Sequence, residues 1–440
     1  MQNNNGSKDS VIVMKFGGTS VRSEESRAHA IKHIRTHAES GKKLVVIVSA
    51  MGRKGEPYAT DTLIALLKDL GEPVNPSELD AVMSIGETLS SAFFSHLLSQ
   101  NGLPAEAFTG RQAGILTDDN PGNAEILEIN PARILKTLNQ GKIAVVAGFQ
   151  GATAAGDVRT LGRGGSDTSA VALGAALNAK RVEIYSDVDG IANCDPNQIS
   201  AASFINSISA KQILSMANEG SSVLHPRAVK ASLKTKTPIV ARNTFSAAAG
   251  TTIFHHDATE QSKLVTLAHR ENLALITFEE TTDALKLAPE MIRIDEHRFL
   301  LKNDVYLENN LKLFSKSSAT LQKAEGWATV SVVFDKSAAK SKNVPNAEII
   351  PSSENVICYL LKEEHLSSSL QILYEHYILG SEYKPGTNNF ARKIVDFLLF
   401  TLPSKNNIKK NEICQDLKKK NMMSVSKRCG KVWLRKILKY

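Results

Sequence analysis

Five short apolar runs decide most of what this chain can become: VIVMKF (11–16), KLVVIVSA (43–50), KIAVVAGF (142–149), RVEIYS (181–186) and PIVAR (238–242). They are rich in Val and Ile and do not alternate with polar residues, so each reads as a strand buried on both faces. Between them stand helical patterns: SEESRAHAIKHIRTHAESG, DTLIALLKDLG, SELDAVMSIGETLSSAFFSHLLSQNG and SDTSAVALGAALNA, with SAKQILSMANEG opening on a capping box, Ser209 and Gln212. Buried strands alternating with helices predict an α/β fold with a mainly parallel sheet covered by helices. PIVAR reads as its last strand and SAAAGTTI (246–253) as a linker.

Beyond residue 260 the text changes. KLVTLAH and ALITF read as two strands, WATVSVVF and NVICYLL as further strands, and EEHLSSSLQILYEHYIL as a helix. These predict a separate α+β module over 260–380. From 381 the chain is basic and weakly patterned, and residues 1–10 carry little apolar character; both ends read as disordered. Residues 401–440 hold twelve Lys or Arg against two Asp or Glu, +10 of the net +8, so the other 400 residues sum to −2. The near-neutral body has no electrostatic motive for nucleic acid. No apolar run approaches the roughly 20 residues of a membrane helix. No leader-like segment opens the sequence, and Cys194, Cys358, Cys414 and Cys429 show no zinc or CxxC spacing. A reduced, cytoplasmic protein with no metal site of its own is the expectation.

The chemistry-bearing motifs close the apolar runs, where parallel sheets bind ligands. In MKFGGTSV, Lys15, Gly17 and Gly18 combine a cation with bare backbone near a helix start, which suits a phosphate. A glycine turn with a surface lysine is the plain alternative. In TLGRGGSDTSA, Arg163 offers a fork for a carboxylate, and Gly164 and Gly165 expose amides. Ser166 or Asp167 there could simply cap the next helix. Glu87, mid-helix in an apolar segment, is a surface acid or a partner for an amine. Ser49 is a turn residue or a ligand hydroxyl. YSDVDGIANCDPN lacks the register and final glutamate of a calcium loop, so a nucleotide-contacting loop fits it better.

Taken in order, MKFGGTSV, VVIVSAMG, SIGETLSS, TLGRGGSDTSA, EIYSDVDGI, MANEGSSVLHPRAV and ARNTFSAAAGTTI resemble the aspartate kinases over residues 10–378. The resemblance implies an amino-acid-kinase fold, with an eight-stranded, mainly parallel sheet sandwiched by helices over 11–255. It also implies an ACT-type regulatory domain of two modules over 260–380, the first degenerate in EETTDALKLAPEMIRI. The implied reaction is ATP plus L-aspartate giving 4-phospho-L-aspartate and ADP with Mg²⁺, the first step towards lysine, diaminopimelate, methionine and threonine. Lysine as feedback inhibitor and a homodimer through the regulatory domain belong to the same expectation.

The resemblance also implies roles. Lys15 contacts the transferring phosphate and Asp167 organises it. Phe16, Gly17 and Gly18 form the phosphate cradle. Arg163 takes a substrate carboxylate, Glu87 the α-amine, and Ser49, Thr60, Gly164, Gly165 and Ser166 line the acceptor pocket. Ser186 and Asp187 begin the nucleotide loop. Ala192, Asn197 and Ser222 stand where a tyrosine, an arginine and a lysine are usual, which predicts weaker or rearranged ATP binding. Two rivals are a kinase of the same fold for another acceptor, such as glutamate or N-acetylglutamate, and a non-catalytic amino-acid sensor.

Overall fold

The computed structural model describes residues 10–53, 55–221, 224–255, 264–279, 291–303, 321–335, 338 and 340–380. The chain divides into two compact units, 1–378 and 379–440, and the description below concerns the first. The expected disordered start and the basic tail 381–440 lie outside the described residues, as do Ser222 and most of EETTDALKLAPEMIRI.

The apolar runs form the sheet they predict. Strands β1 (Val11–Phe16), β2 (Lys43–Val48), β3 (Ala105–Phe108), β6 (Ile143–Ala147), β9 (Arg181–Ser186), β10 (Ser207–Ser209), β11 (Ile239–Asn243) and β12 (Thr251–Phe254) make one eight-stranded sheet, in the order β10-β12-β11-β9-β1-β2-β6-β3. All neighbours are parallel except β11 and β12. PIVAR is therefore not the last strand, and 246–253 is not wholly a linker. Gly250 turns the chain with φ +79°, and Thr251 and Ile253 are buried in β12 between β10 and β11. Two threonines and one isoleucine carry too short a pattern to stand out in an Ala/Gly/Thr-rich stretch.

The pleat of β1 sorts its side chains onto two cores. Ile12, Met14 and Phe16 join Val46, Val48, Phe94 and Tyr185 on one face. Val13 joins Val45, Ile47, Val146 and Ile184 on the other. The first core is covered by α2 (Glu24–Glu39), capped by Ser23 through the Ser26 N–H, and by α4 (Pro76–Gln100). The second is covered by α5 (Ala132–Asn139), α6 (Gly165–Ala176) and α8 (Pro226–Thr235). Lys15 shares the pleat of Val13, so it points to the α6 face.

Between the two glycine motifs sits a small sheet that periodicity does not reveal. Its strands β4 (Ile115–Thr117), β5 (Ile126–Ile129), β7 (Gln150–Ala152) and β8 (Val158–Thr160) run in the order β5-β4-β7-β8. It delivers the chain to TLGRGGSD at the end of β8.

A third sheet, β14-β15-β13-β16-β18-β17, is built from β13 (Val265–Phe278), β14 (Ile292–Arg293), β15 (Arg298–Lys302), β16 (Leu321–Phe334), β17 (Ala347–Ile350) and β18 (Val356–Lys362). KLVTLAH and ALITF are one 14-residue strand, β13, not two: the polar Arg270-Glu271-Asn272 stretch between them continues the ladder through a register shift. The predicted helix after β18 is a 3₁₀ turn (Glu363–His365), then a helix over Leu366–Leu373.

This third sheet docks on α7 (Ala210–Asn218) and the turn after it. The Ser209 hydroxyl accepts from the Gln212 N–H at 3.1 Å, as the capping box predicts, and donates to Asp335 at 2.9 Å. The Gln212 amide does not return to the cap. It donates to the Leu264 and Val333 carbonyls at 3.1 and 3.3 Å. Glu219 meets Arg270 at 3.2 Å and the Ser331 hydroxyl at 2.7 Å.

Candidate active site at the strand ends

Five adjacent strands, β11, β9, β1, β2 and β6, release their chains at the same edge, and hydrogen bonds run on past the strand ends. The Ser49 N–H donates to the Phe16 carbonyl at 3.2 Å, Gly148 to Val48 at 3.0 Å and Thr244 to Ser186 at 2.8 Å. The loops bearing Lys15, Ser49, Phe149 and Ser186 are thereby held side by side.

Lys15 and Asp167 meet there. Lys15 Nζ lies 2.6 Å from Asp167 Oδ1, both side chains about one-seventh exposed. Asp167 sits in the first turn of α6, so the ammonium approaches a helix start already favourable to anions. Gly164 with φ +75°, rather than Ser166 or Asp167, is the N-cap of α6. The side chain of Asp167 is thus released from capping to face Lys15.

The glycines mark close approaches. A Cβ on Gly18 would lie 2.9 Å from the Ala50 carbonyl, and one on Gly17 would lie 3.7 Å from Lys15 Nζ. Gly17 precedes α1 (Gly18–Val21), so bare backbone lies beside the ammonium. This is a cradle that side chains would fill. A Cβ on Gly165 would press on the Phe149 ring at 2.8 Å, and one on Gly148 on Ser166 at 2.9 Å. Phe149 itself holds φ +69°, a conformation costing about 1–2 kcal/mol for a side-chain-bearing residue. It is fixed by its N–H to the Ser169 hydroxyl at 3.1 Å and by its carbonyl, which accepts from Leu161 at 2.9 Å.

Glu87 is not a surface acid. It is buried on α4, and Oε1 accepts from the Ala50 N–H at 3.0 Å. Oε2 is buried with no partner among the described residues. Burial pushes its carboxyl up to about 7, against the opposing pull of the Ala50 N–H and of Lys15. Gly86 makes this possible: a Cβ there would lie 2.8 Å from the Ala50 side chain and 3.0 Å from the Tyr58 carbonyl. The same packing brings the start of α3 (Thr60–Lys68), hence Thr60, alongside Glu87's helix. Arg163 is exposed and forms no ion pair among the described residues. The region therefore presents one buried, unpartnered carboxyl oxygen, one exposed guanidinium and one lysine over bare backbone.

His225 and Arg227 belong to this group, although nothing in the sequence gives them a role. His225 caps α8 through Nδ1, which accepts from the Arg227 N–H at 3.3 Å. Its ring occupies the space a Cβ on Gly164 would need. Burial lowers its pKa, with Arg227 and Arg163 adding and Asp167 opposing. Arg227 Nη1 donates to the Leu161 carbonyl. The only trace in the sequence is the His-Pro pair of a helix start, which says nothing about a partner about 60 residues away.

The loop expected to contact a nucleotide divides. Ser186 ends β9, and Asp187 beside it is exposed. Asp189 is used structurally, accepting from Asn243 at 2.8 Å and Ser246 at 2.5 Å. Ala192 bridges to Phe204, and Asn193 accepts through its carbonyl from Leu267 of β13 at 2.8 Å. The Asn197 N–H donates to Asp195 at 2.8 Å. Ala192 and Asn197 thus stand in a segment that packs toward the third sheet. No described hydrogen bond ties them to Lys15's group.

Lys15 and the glycine turns thus stand where the parallel strands end, with Glu87 of α4 and Asp167 of α6 packed beside them. The amino acid kinase family model matches residues 10–243. Aspartokinase 1 of Bacillus subtilis (strain 168) is 46% identical over 250 residues, 57% of this chain and 62% of that protein. The aspartokinase of Bacillus sp. (strain MGA3) is 33% identical over 413 residues, 85% of this chain and 99% of that one. Among solved structures, the aspartate kinase from Synechocystis matches with a TM-score of 0.51 at 28% identity, over 86% of this chain and 71% of that one. E. coli aspartokinase III in complex with aspartate and ADP matches with a TM-score of 0.65 at 24% identity, over 83% of this chain and 99% of that one, and is alike in fold. This chain belongs to the amino acid kinase family, among the aspartokinases. The match spans about three fifths of the length of Aspartokinase 1 of Bacillus subtilis and of the aspartokinase of Geobacillus stearothermophilus.

Proposed function

We propose that the chain is an aspartate kinase, transferring the γ-phosphoryl group of ATP to the side-chain carboxylate of L-aspartate. The carrying observation is Glu87, a buried carboxylate with one oxygen fixed by Ala50 and the other open. An unpartnered carboxyl oxygen and the exposed Arg163 fit an acceptor with ends of both signs. This favours a free amino acid over an N-acylated one.

The acceptor carboxylate is ionised at neutral pH, since an aspartate side chain ordinarily titrates at about 3.9, so no general base is required. One of its oxygens attacks the γ-phosphorus, the bond to the bridging oxygen breaks, and ADP departs with that electron pair. The chain's part is positioning and charge neutralisation. Lys15, held by Asp167, meets the transferring phosphoryl oxygens beside Gly17 and Gly18. Glu87 orients the amine and Arg163 a carboxylate, with Ser49, Thr60, Gly164, Gly165 and Ser166 around them. Ser186 and Asp187 begin the nucleotide side. Mg²⁺ bound to the nucleotide phosphates would neutralise part of their charge.

The third sheet is read as the regulatory module of residues 260–380, its halves β13-β14-β15 and β16-β17-β18 as two joined units. Another solved aspartokinase III from E. coli is in complex with lysine and aspartate. Lysine is accordingly proposed as the inhibitor here, acting through the Glu219 and Gln212 contacts, with a homodimer through this sheet. A rate unchanged by lysine removes that part. The kinase reading is tested by trapping acyl phosphate as hydroxamate from ATP and aspartate. Signal is expected from the native protein and none from Lys15→Ala; no signal from the native protein would favour the sensor.

A further inference from the structure

Asp80 lies seven residues before Glu87 on α4, about two turns along the same face. Its side chain is fully buried at 0% exposure. The Gly122 N–H reaches both of its oxygens at 3.0 and 3.1 Å. The Thr160 N–H donates to Oδ2 at 3.1 Å and the Thr160 hydroxyl to Oδ1 at 2.5 Å. No cation pairs with it among the described residues.

A buried carboxylate held by neutral donors alone is costly, and an apolar residue would often serve stability as well. What it fixes is geometry. Thr160 is the last residue of β8 and the first of TLGRGGSD. From there the chain runs through Leu161, held at both backbone groups by Phe149 and Arg227, to Gly162 (φ +71°), Arg163 and Gly164 (φ +75°). One rigid helix therefore carries Glu87 and also grips the loop that bears Arg163. The Gln150 amide, donating to the Ser84 carbonyl at 2.9 Å, ties β7 to the same helix.

We propose that Asp80 is a positioning residue that sets the span between Glu87 and Arg163, and so makes the site select the four-carbon amino diacid over the five-carbon one. This rests on the aspartate-kinase reading above. Binding at Glu87 and Arg163 depends on their separation, and a loosened loop accepts a longer diacid. Lys15 stands on β1, outside this loop, and the body of α6 is held by its packing in the second core, so phosphate binding is far less affected.

The test is steady-state kinetics with L-aspartate and L-glutamate on the native full-length protein, Thr160→Val, Thr160→Ser and Asp80→Asn. Thr160→Val removes only the hydroxyl, and Asp80→Asn turns a donor toward donors. Both are expected to raise the KM for aspartate about 10- to 100-fold with the KM for ATP within about twofold. The aspartate-to-glutamate ratio of kcat/KM should fall about tenfold. Thr160→Ser, which keeps both donors, should restore the ratio. Should Asp80→Asn not fold, Thr160→Val decides alone. An unchanged ratio in Thr160→Val, parallel rises in both KM values, or a Thr160→Ser as impaired as Thr160→Val overturns the proposal and leaves the kinase reading standing. A native protein that phosphorylates neither acid removes that reading, and the proposal with it.

Discussion

The two ends of the site are built to different standards. On the acceptor side the supporting framework is buried and fixed, while Arg163 is exposed: Glu87 is buried and accepts from Ala50, Leu161 is held by Phe149 and Arg227, and Thr160 by Asp80. In the loop assigned to the nucleotide Asp187 and Asn197 are exposed, Asp189 accepts from Asn243 and Ser246, and Asp195 accepts from the Asn197 N–H. The difference teaches where selectivity resides. A small zwitterion offers few atoms, so each contact must be fixed in advance. A nucleotide brings enough charge and surface to bind with fewer fixed groups.

The largest expected break is at the junction of the two ends. Lys15→Ala should lower kcat about 100- to 1,000-fold. A double-mutant cycle of Lys15 and Asp167 should show coupling of about 1–3 kcal/mol, measured on kcat/KM; additive effects would separate the two residues.

Next is Glu87→Gln. Losing an ionised acceptor for the amine should raise the KM for aspartate about 10- to 100-fold and spare that for ATP. The same residue predicts a pH effect. With its carboxyl at about 7 rather than the ordinary 4.5, the folded protein holds more protons than the unfolded chain between those values. Stability without ligand should therefore fall as pH rises through that window and level off above it. The native protein should lose about 3–4 kcal/mol across it that Glu87→Gln does not lose, read by denaturant titration. Over the same window kcat/KM for aspartate should rise as Glu87 ionises.

The smallest effect belongs to the nucleotide end. Asn197→Arg adds a cation at the loop, so the KM for ATP should fall about two- to fivefold with aspartate unaffected. A larger drop would mean that this loop lies closer to the phosphates than its packing toward the third sheet suggests.

The large sheet and the gathering of Lys15, Glu87, Arg163 and Asp167 at its edge were legible because buried parallel strands write themselves as unbroken Val/Ile runs. Glycines and charges at their ends have few other uses. The small sheet was not legible, since strands of three and four residues carry no measurable period. Nor was β12, concealed in Ala, Gly and Thr. Asp80 reads as one more acid near the start of a helix, and His225 as a helix start. Their partners at 122, 160 and 164 come from other elements, and only the tertiary fold brings them together. The burial of Glu87 was half legible: the apolar helix was plain, but not that Gly86 would let Ala50 and Tyr58 close over it.

The central claim is that the open oxygen of Glu87 reads a free amine. The direct measurement is kcat/KM for L-aspartate against N-acetyl-L-aspartate in the native protein and in Glu87→Gln. The native protein should prefer aspartate by about 100-fold, and the variant should lose most of that preference. An equal preference in both would contradict the assignment.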